Sequence, residues 1–137
     1  MTKIFAKQNK LVEKFSLTIP KILEPEDHEI AAALILMKFG DVEFLIPNRT
    51  KNARTADVIW LGKFWEIKSP QGEGKRVLIN TIRGALRQSP NIILDLRRLK
   101  ISDEKIVTQI RAHKKNLLRG VNELKIITKE DELVDIK

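Results

Sequence analysis

The sequence predicts an α/β fold, a central mixed sheet flanked by helices. Segments patterned as helix, strand, strand, strand, helix, strand, helix and strand succeed one another along 137 residues, an alternation that belongs to sheets covered by helices. The run at 91–96 (NIILDL) is almost wholly apolar, as in a strand buried on both faces, and is expected at the sheet centre beside the hairpin described below. At 42% apolar, a chain of this length can bury one core and favours one domain.

Residues 1–25 mix basic and apolar positions without a clean period and are interrupted by Pro20 and Pro25. They are expected to form a loosely ordered lead-in, with a single domain over 26–137. The first helix follows from acids at Glu26, Asp27 and Glu29, an apolar run at 30–37, then Lys38 and a stop at Gly40. Being apolar nearly all round, it should be buried. Val42, Phe44 and Ile46 alternate as in a strand, and a polar basic loop is expected over 48–54.

The segment 55–68 (TADVIWLGKFWEIK) reads as a hairpin. Gly62-Lys63 has the composition of a two-residue type II′ turn. That turn pairs Leu61 with Phe64, Trp60 with Trp65, Ile59 with Glu66, Val58 with Ile67 and Asp57 with Lys68. Val58, Trp60, Trp65 and Ile67 then form the core face, the tryptophans as a cross-strand pair, and Asp57, Ile59, Glu66 and Lys68 share the other face.

A Gly-containing loop (SPQGEG) leads to a helix over 75–88 with an apolar stripe at Leu78, Ile82, Ala85 and Leu86 and a polar stripe at Arg76, Asn80, Arg83 and Arg87. Ser102 caps a further helix whose apolar line is Ile106, Ile110 and Leu117 and which Gly120 stops. His113 falls on that line and is expected at the core boundary. The run at 123–128 (ELKIIT) is a last strand, and an acidic, frayed tail should follow.

Composition restricts the chemistry. There is no cysteine, which excludes a disulfide scaffold, thiolate zinc sites and a thiol nucleophile. No apolar run reaches the ~18–20 residues of a membrane span, and the N-terminus lacks a signal-peptide core, so the chain reads as soluble. The net charge of +8 is unevenly distributed: residues 49–119 hold 17 Lys and Arg against six Asp and Glu, a net +11, and the remainder is −3. A basic block of this kind suits nucleic acid.

Asp57, Glu66 and Lys68 lie inside that block. Two carboxylates on one face of a hairpin can share a hard divalent cation, Mg2+ or alternatively Mn2+, with phosphate oxygens and water completing its shell. A neighbouring lysine can position or deprotonate the attacking water, or stabilise charge in the transition state. Glu29 is a further candidate acid. Ser69 and Gln71 follow the lysine and either contact substrate or shape the turn, and Arg76, Asn80, Arg83 and Arg87 are candidate phosphate contacts.

Ala56-Asp57, followed after eight residues by Glu66-Ile-Lys68, resembles the core motif of the PD-(D/E)xK nuclease superfamily, with Ala56 where the motif's proline would stand. The element order αβββαβ over 26–96 resembles its restriction-endonuclease-like core. More narrowly, ADVIWLGKFWEIKSP with NTIRGALRQSPNIILDLRR is similar to the C-terminal tRNA-nuclease domain of contact-dependent growth-inhibition toxins and related polymorphic toxins. That resemblance spans roughly residues 26–128. It implies a metal-dependent ribonuclease acting on tRNA in the cytoplasm of a target cell, delivered as part of a larger toxin and neutralised by a cognate immunity protein. On it, Asp57 and Glu66 would be metal ligands, Lys68 the catalytic lysine and Glu29 the added acid. Two other readings use the same residues: a metal-dependent DNA endonuclease, and a non-catalytic nucleic-acid-binding module with a structural Asp57–Lys68 pair.

Overall fold

The computed structural model describes residues 2–9, 12–48 and 55–137. Along these the elements are β1 (Thr2–Asn9), β2 (Val12–Ile19), α1 (Asp27–Leu36), β3 (Val42–Phe44), β4 (Val58–Trp60), β5 (Lys63–Lys68), α2 (Lys75–Leu86), β6 (Asn91–Asp95), α3 (Asp103–Ala112), α4 (Lys114–Leu117), β7 (Glu123–Ile127) and β8 (Leu133–Asp135). The described strands lie side by side in chain order as one mixed sheet. The β2–β3, β5–β6 and β6–β7 pairs are parallel, and the other neighbouring pairs are antiparallel.

The two faces carry separate cores. On one, Ala32, Ala33, Ile35 and Leu36 of α1 pack with Val58, Trp60, Trp65, Ile67 and Ile93. On the other, Leu78, Ile82 and Ala85 of α2 pack with Ile92, Leu94, Ile106 and Ile110. Successive residues of β6 thus enter opposite cores, which is why its sequence shows no alternation. As expected, β6 lies beside the hairpin strand β5 and is buried on both faces.

The hairpin keeps its predicted faces but not its predicted register. Val58 opposes Trp65, Ile59 opposes Phe64 and Trp60 opposes Lys63, two residues away from the expected pairing. The turn is Leu61-Gly62, both with positive φ (53° and 72°), which is the type I′ arrangement rather than II′. A two-residue slip preserves side-chain parity. Val58, Trp60 and Trp65 are therefore still buried, while Trp60 and Trp65 meet diagonally, edge to face, with centroids 5.3 Å apart. Trp60 Nε1 donates to the Leu36 carbonyl at 2.9 Å and ties the hairpin to the end of α1.

Other expectations need correction. The first 25 residues contain the antiparallel pair β1–β2, and β2 joins the sheet at β3. The tail contributes β8, antiparallel to β7. The helix expected to run to Gly120 breaks at His113 (φ −116°, ψ 26°), so Leu117 belongs to the separate α4 and His113 is exposed. The Ser102 cap is present, its Oγ accepting from the Lys105 N–H at 3.3 Å. The basic loop expected over 48–54 lies outside the described residues beyond Asn48.

Candidate active site

β4 and β5 diverge at Asp57, and the candidate site forms there. The Asp57 N–H donates to the Trp65 carbonyl at 2.9 Å, and its own carbonyl accepts from the Leu45 N–H at 2.9 Å. Its Oδ2 accepts from the Ile67 N–H at 2.7 Å, so a side chain takes the place of a ladder carbonyl and is fixed by it. Continued one position past the Val58–Trp65 pair, the register sets Asp57 across from Glu66 and not from Lys68. Lys68 instead pairs along its own strand, Nζ lying 3.1 Å from Glu66 Oε2.

Glu66 is the unusual group. It is only 4% exposed, on the sheet face covered by α2. Its Oε1 is buried with no hydrogen-bond partner among the described residues. Its carboxyl is pushed up to about 8, first by burial and then by the Asp57 charge, with Lys68 opposing. A buried carboxylate facing a second carboxylate is costly unless a proton or a cation intervenes. The donor set fits a hard divalent cation: two carboxylates from adjacent strands, one with an unsatisfied buried oxygen, beside a cavity of about 330 Å3 lined by Asp57, Glu66, Lys68, Gln88 and Thr55.

Glu29, in the first turn of α1, belongs to the same electrostatic neighbourhood. Its carboxyl is raised above the ordinary range by burial and then by Asp57. It also clusters with Glu26 and His28, whose ligand atoms and its own lie within 4.8 Å of one another.

The predicted substrate contacts divide into two groups. Ser69 and Asn80 line a cavity with Lys68, Thr81 and Gly84, and so border the site. Ser69 Oγ is also 3.5 Å from Asp95, a buried carboxylate held bidentately by Arg97. Gln71 turns to Arg98, accepting from its Nε at 3.0 Å once its amide is oriented to suit. Arg76 and Arg83 line a different groove, with Ile79, Gln109, His113 and Asn116 between α2 and the α3–α4 break, and Arg87 is exposed. Helical rotation explains this: at about 100° per residue, the flank of α2 nearest the hairpin, with Thr81, Gly84 and, beyond its end, Gln88, lies roughly 110° around the axis from the arginine line. Gln88 was not among the predicted site residues, yet its Oε1 accepts from the Thr55 N–H at 3.1 Å and it lines the Asp57–Glu66–Lys68 cavity. A helical projection places Gln88 on the flank of Thr81 and Gly84, but only the packing of α2 shows that this flank meets the hairpin.

The sequence profile of the family described as "Contact-dependent growth inhibition CdiA C-terminal domain" matches residues 54–133. The chain belongs to this family. All three site residues of the hairpin fall within the matched segment, so the CdiA C-terminal domain, a toxin domain of contact-dependent growth inhibition, includes them. The fold is also similar to a solved structure, the "CdiA-CT/CdiI toxin and immunity complex from Burkholderia pseudomallei", with a TM-score of 0.63 and 16% identity over 88% of this chain and 98% of that one. No curated protein matches the sequence. Among the described residues of this CdiA C-terminal domain, no helix is long and apolar enough to cross a membrane.

Proposed function

We propose that this domain is a metal-dependent ribonuclease of the PD-(D/E)xK superfamily that cleaves tRNA in the cytoplasm of a target cell. The observation that carries the proposal is the convergence of Asp57, Glu66 and Lys68 on one cavity, with a buried Glu66 oxygen left without a partner. The element order α1–β3–β4–β5–α2–β6 supports the superfamily reading, and the net charge of +11 over residues 49–119, the stretch of sequence that contains the hairpin residues of the site, supports a polyanionic substrate.

Asp57 and Glu66 would hold the divalent cation, Mg2+ or Mn2+. When bound, such an ion neutralises phosphate charge and makes a coordinated water more acidic. The Ile67 N–H fixes the Asp57 carboxylate, so that ligand needs little reorganisation. Lys68 is anchored through Glu66 and partly exposed, positioned to donate to a nonbridging phosphate oxygen as negative charge builds on it. Water adds to phosphorus and gives up a proton to solvent, the bond to the leaving oxygen breaks, and the leaving oxygen takes a proton from solvent. Glu29, close to Asp57, adds negative charge on the side of α1 and serves as a further acid of the site. Ser69 and Asn80 border the path of the chain past Lys68.

The similar structure is a complex with an immunity protein, and the proposal includes a cognate immunity partner for this domain. Total tRNA and plasmid DNA incubated side by side with Mg2+, then with EDTA, test the activity. Cleavage of tRNA that EDTA stops and Mg2+ restores is expected, with the plasmid intact. Cleavage that persists in EDTA would refute the metal requirement, and cleavage of the plasmid alone would replace the substrate.

A further inference from the structure

Phe64, the second residue of β5 and paired with Ile59 of β4, is 58% exposed. It shares a strand face with Glu66 and Lys68, and side chains two residues apart on one face stand about 6.7 Å from each other along the strand. Exposed aromatics are ordinary when scattered, so exposure alone says little. Here it coincides with a second cavity of about 380 Å3, lined by Phe64, Ile46, Ser89 and Pro90. That cavity and the one holding Asp57, Glu66 and Lys68 have Leu45, Asn48, Thr55, Ala56 and Gln88 in common. The two are halves of one depression, polar at the carboxylates and apolar at Phe64.

The ring is presented on a fixed backbone. The Phe64 carbonyl accepts from Ser89 Oγ at 3.0 Å and from Asn91 Nδ2 at 3.1 Å, and Ile59 stands opposite on β4. A solvent-facing π surface on an anchored backbone, next to the proposed phosphodiester site, suits a nucleobase. Base–aromatic stacking tolerates every base and needs an unstacked one.

We propose that Phe64 is the stacking platform for an unpaired nucleobase adjacent to the scissile phosphate, which selects single-stranded segments of the RNA. This rests on the nuclease reading above and adds the form of substrate the site accepts. No part of the stacking requires a specific base edge, so the platform confers preference for unpaired RNA rather than for a sequence.

The test uses the full chain with single-stranded RNA oligonucleotides containing 2-aminopurine beside the cleaved bond, and Phe64→Ala, Phe64→Leu and Phe64→Trp variants. Stacking on wild type quenches 2-aminopurine fluorescence. Phe64→Ala should weaken oligonucleotide binding about 5- to 150-fold and abolish the quench. Phe64→Leu, apolar but without a π face, should resemble Phe64→Ala, and Phe64→Trp should restore both signals. Far-UV CD must be the same in all, and Phe64→Trp keeps the test informative if Phe64→Ala folds poorly. Wild-type cleavage with an unchanged quench in Phe64→Ala, or Phe64→Leu binding as wild type, would overturn the platform alone. Absence of cleavage and binding in wild type would overturn the nuclease reading as well.

Discussion

Replacing Glu66 by Gln should make the metal-free protein more stable at neutral and alkaline pH. Glu66 is buried beside Asp57, and its carboxyl moves from 4.5 to about 8. At about 1.4 kcal/mol per pH unit, keeping it ionised in the folded chain costs on the order of 5 kcal/mol. The sign follows from the proton count. Below pH 4.5 the group is protonated whether folded or unfolded and contributes nothing. Between 4.5 and 8 the folded state holds the extra proton, so its stability falls as pH rises, and above 8 the full cost remains. A domain of this size changes Tm by about 3–4 °C per kcal/mol. In EDTA, the wild-type Tm should therefore fall by roughly 15 °C relative to that of Glu66→Gln between pH 4 and 8.5, measured by CD melting in buffers of equal ionic strength. Saturating Mg2+ should close most of that gap for wild type and do nothing for Glu66→Gln. Parallel pH profiles for the two proteins would refute the reasoning, because they would mean that Glu66 is neither desolvated nor opposed by Asp57.

Trp60→Phe removes the donor to the Leu36 carbonyl and part of a buried ring, and should cost about 2–4 kcal/mol in urea unfolding while leaving the α2 side of the sheet intact. Arg76→Ala with Arg83→Ala should leave kcat for tRNA unchanged, since both arginines line the groove between α2 and α3; any effect belongs in KM and in a shallower salt dependence, read from rates at several NaCl concentrations. Gln88→Ala frees the Thr55 N–H and should lower kcat/KM by about tenfold, in line with loss of one positioning hydrogen bond, whereas Gln88→Glu should retain the contact to Thr55.

The core faces were legible because parity is robust. A turn misplaced by one position shifts the register by two, and Trp60 and Trp65 stay inside and Glu66 stays with Asp57 either way. What changed is the pairing within the site: Lys68 meets Glu66 rather than Asp57. The turn itself was hidden because Leu61 occupies a positive-φ position for which Asn or Gly is the usual signal. β1 and β2 escaped detection for a similar reason. Their pairing is irregular between Phe5 and Lys7 and again between Lys7 and Asn9, and each irregularity breaks the period-two pattern that marks a strand. The arginine stripe was correctly seen as a stripe, but a sequence does not say which flank of a helix meets the hairpin. That orientation comes from Leu78, Ile82 and Ala85 seating against Ile92 and Leu94, which turns Arg76 and Arg83 toward His113 and leaves Gln88 beside the carboxylates.

Single-turnover cleavage of tRNA in Mg2+ by wild type, Glu66→Gln and Lys68→Ala tests the central claim most directly, with far-UV CD recorded on the same samples. Loss of cleavage in both variants, at least about a thousandfold, with unchanged CD is the predicted result. Cleavage retained by either folded variant would contradict a catalytic centre built on Asp57, Glu66 and Lys68.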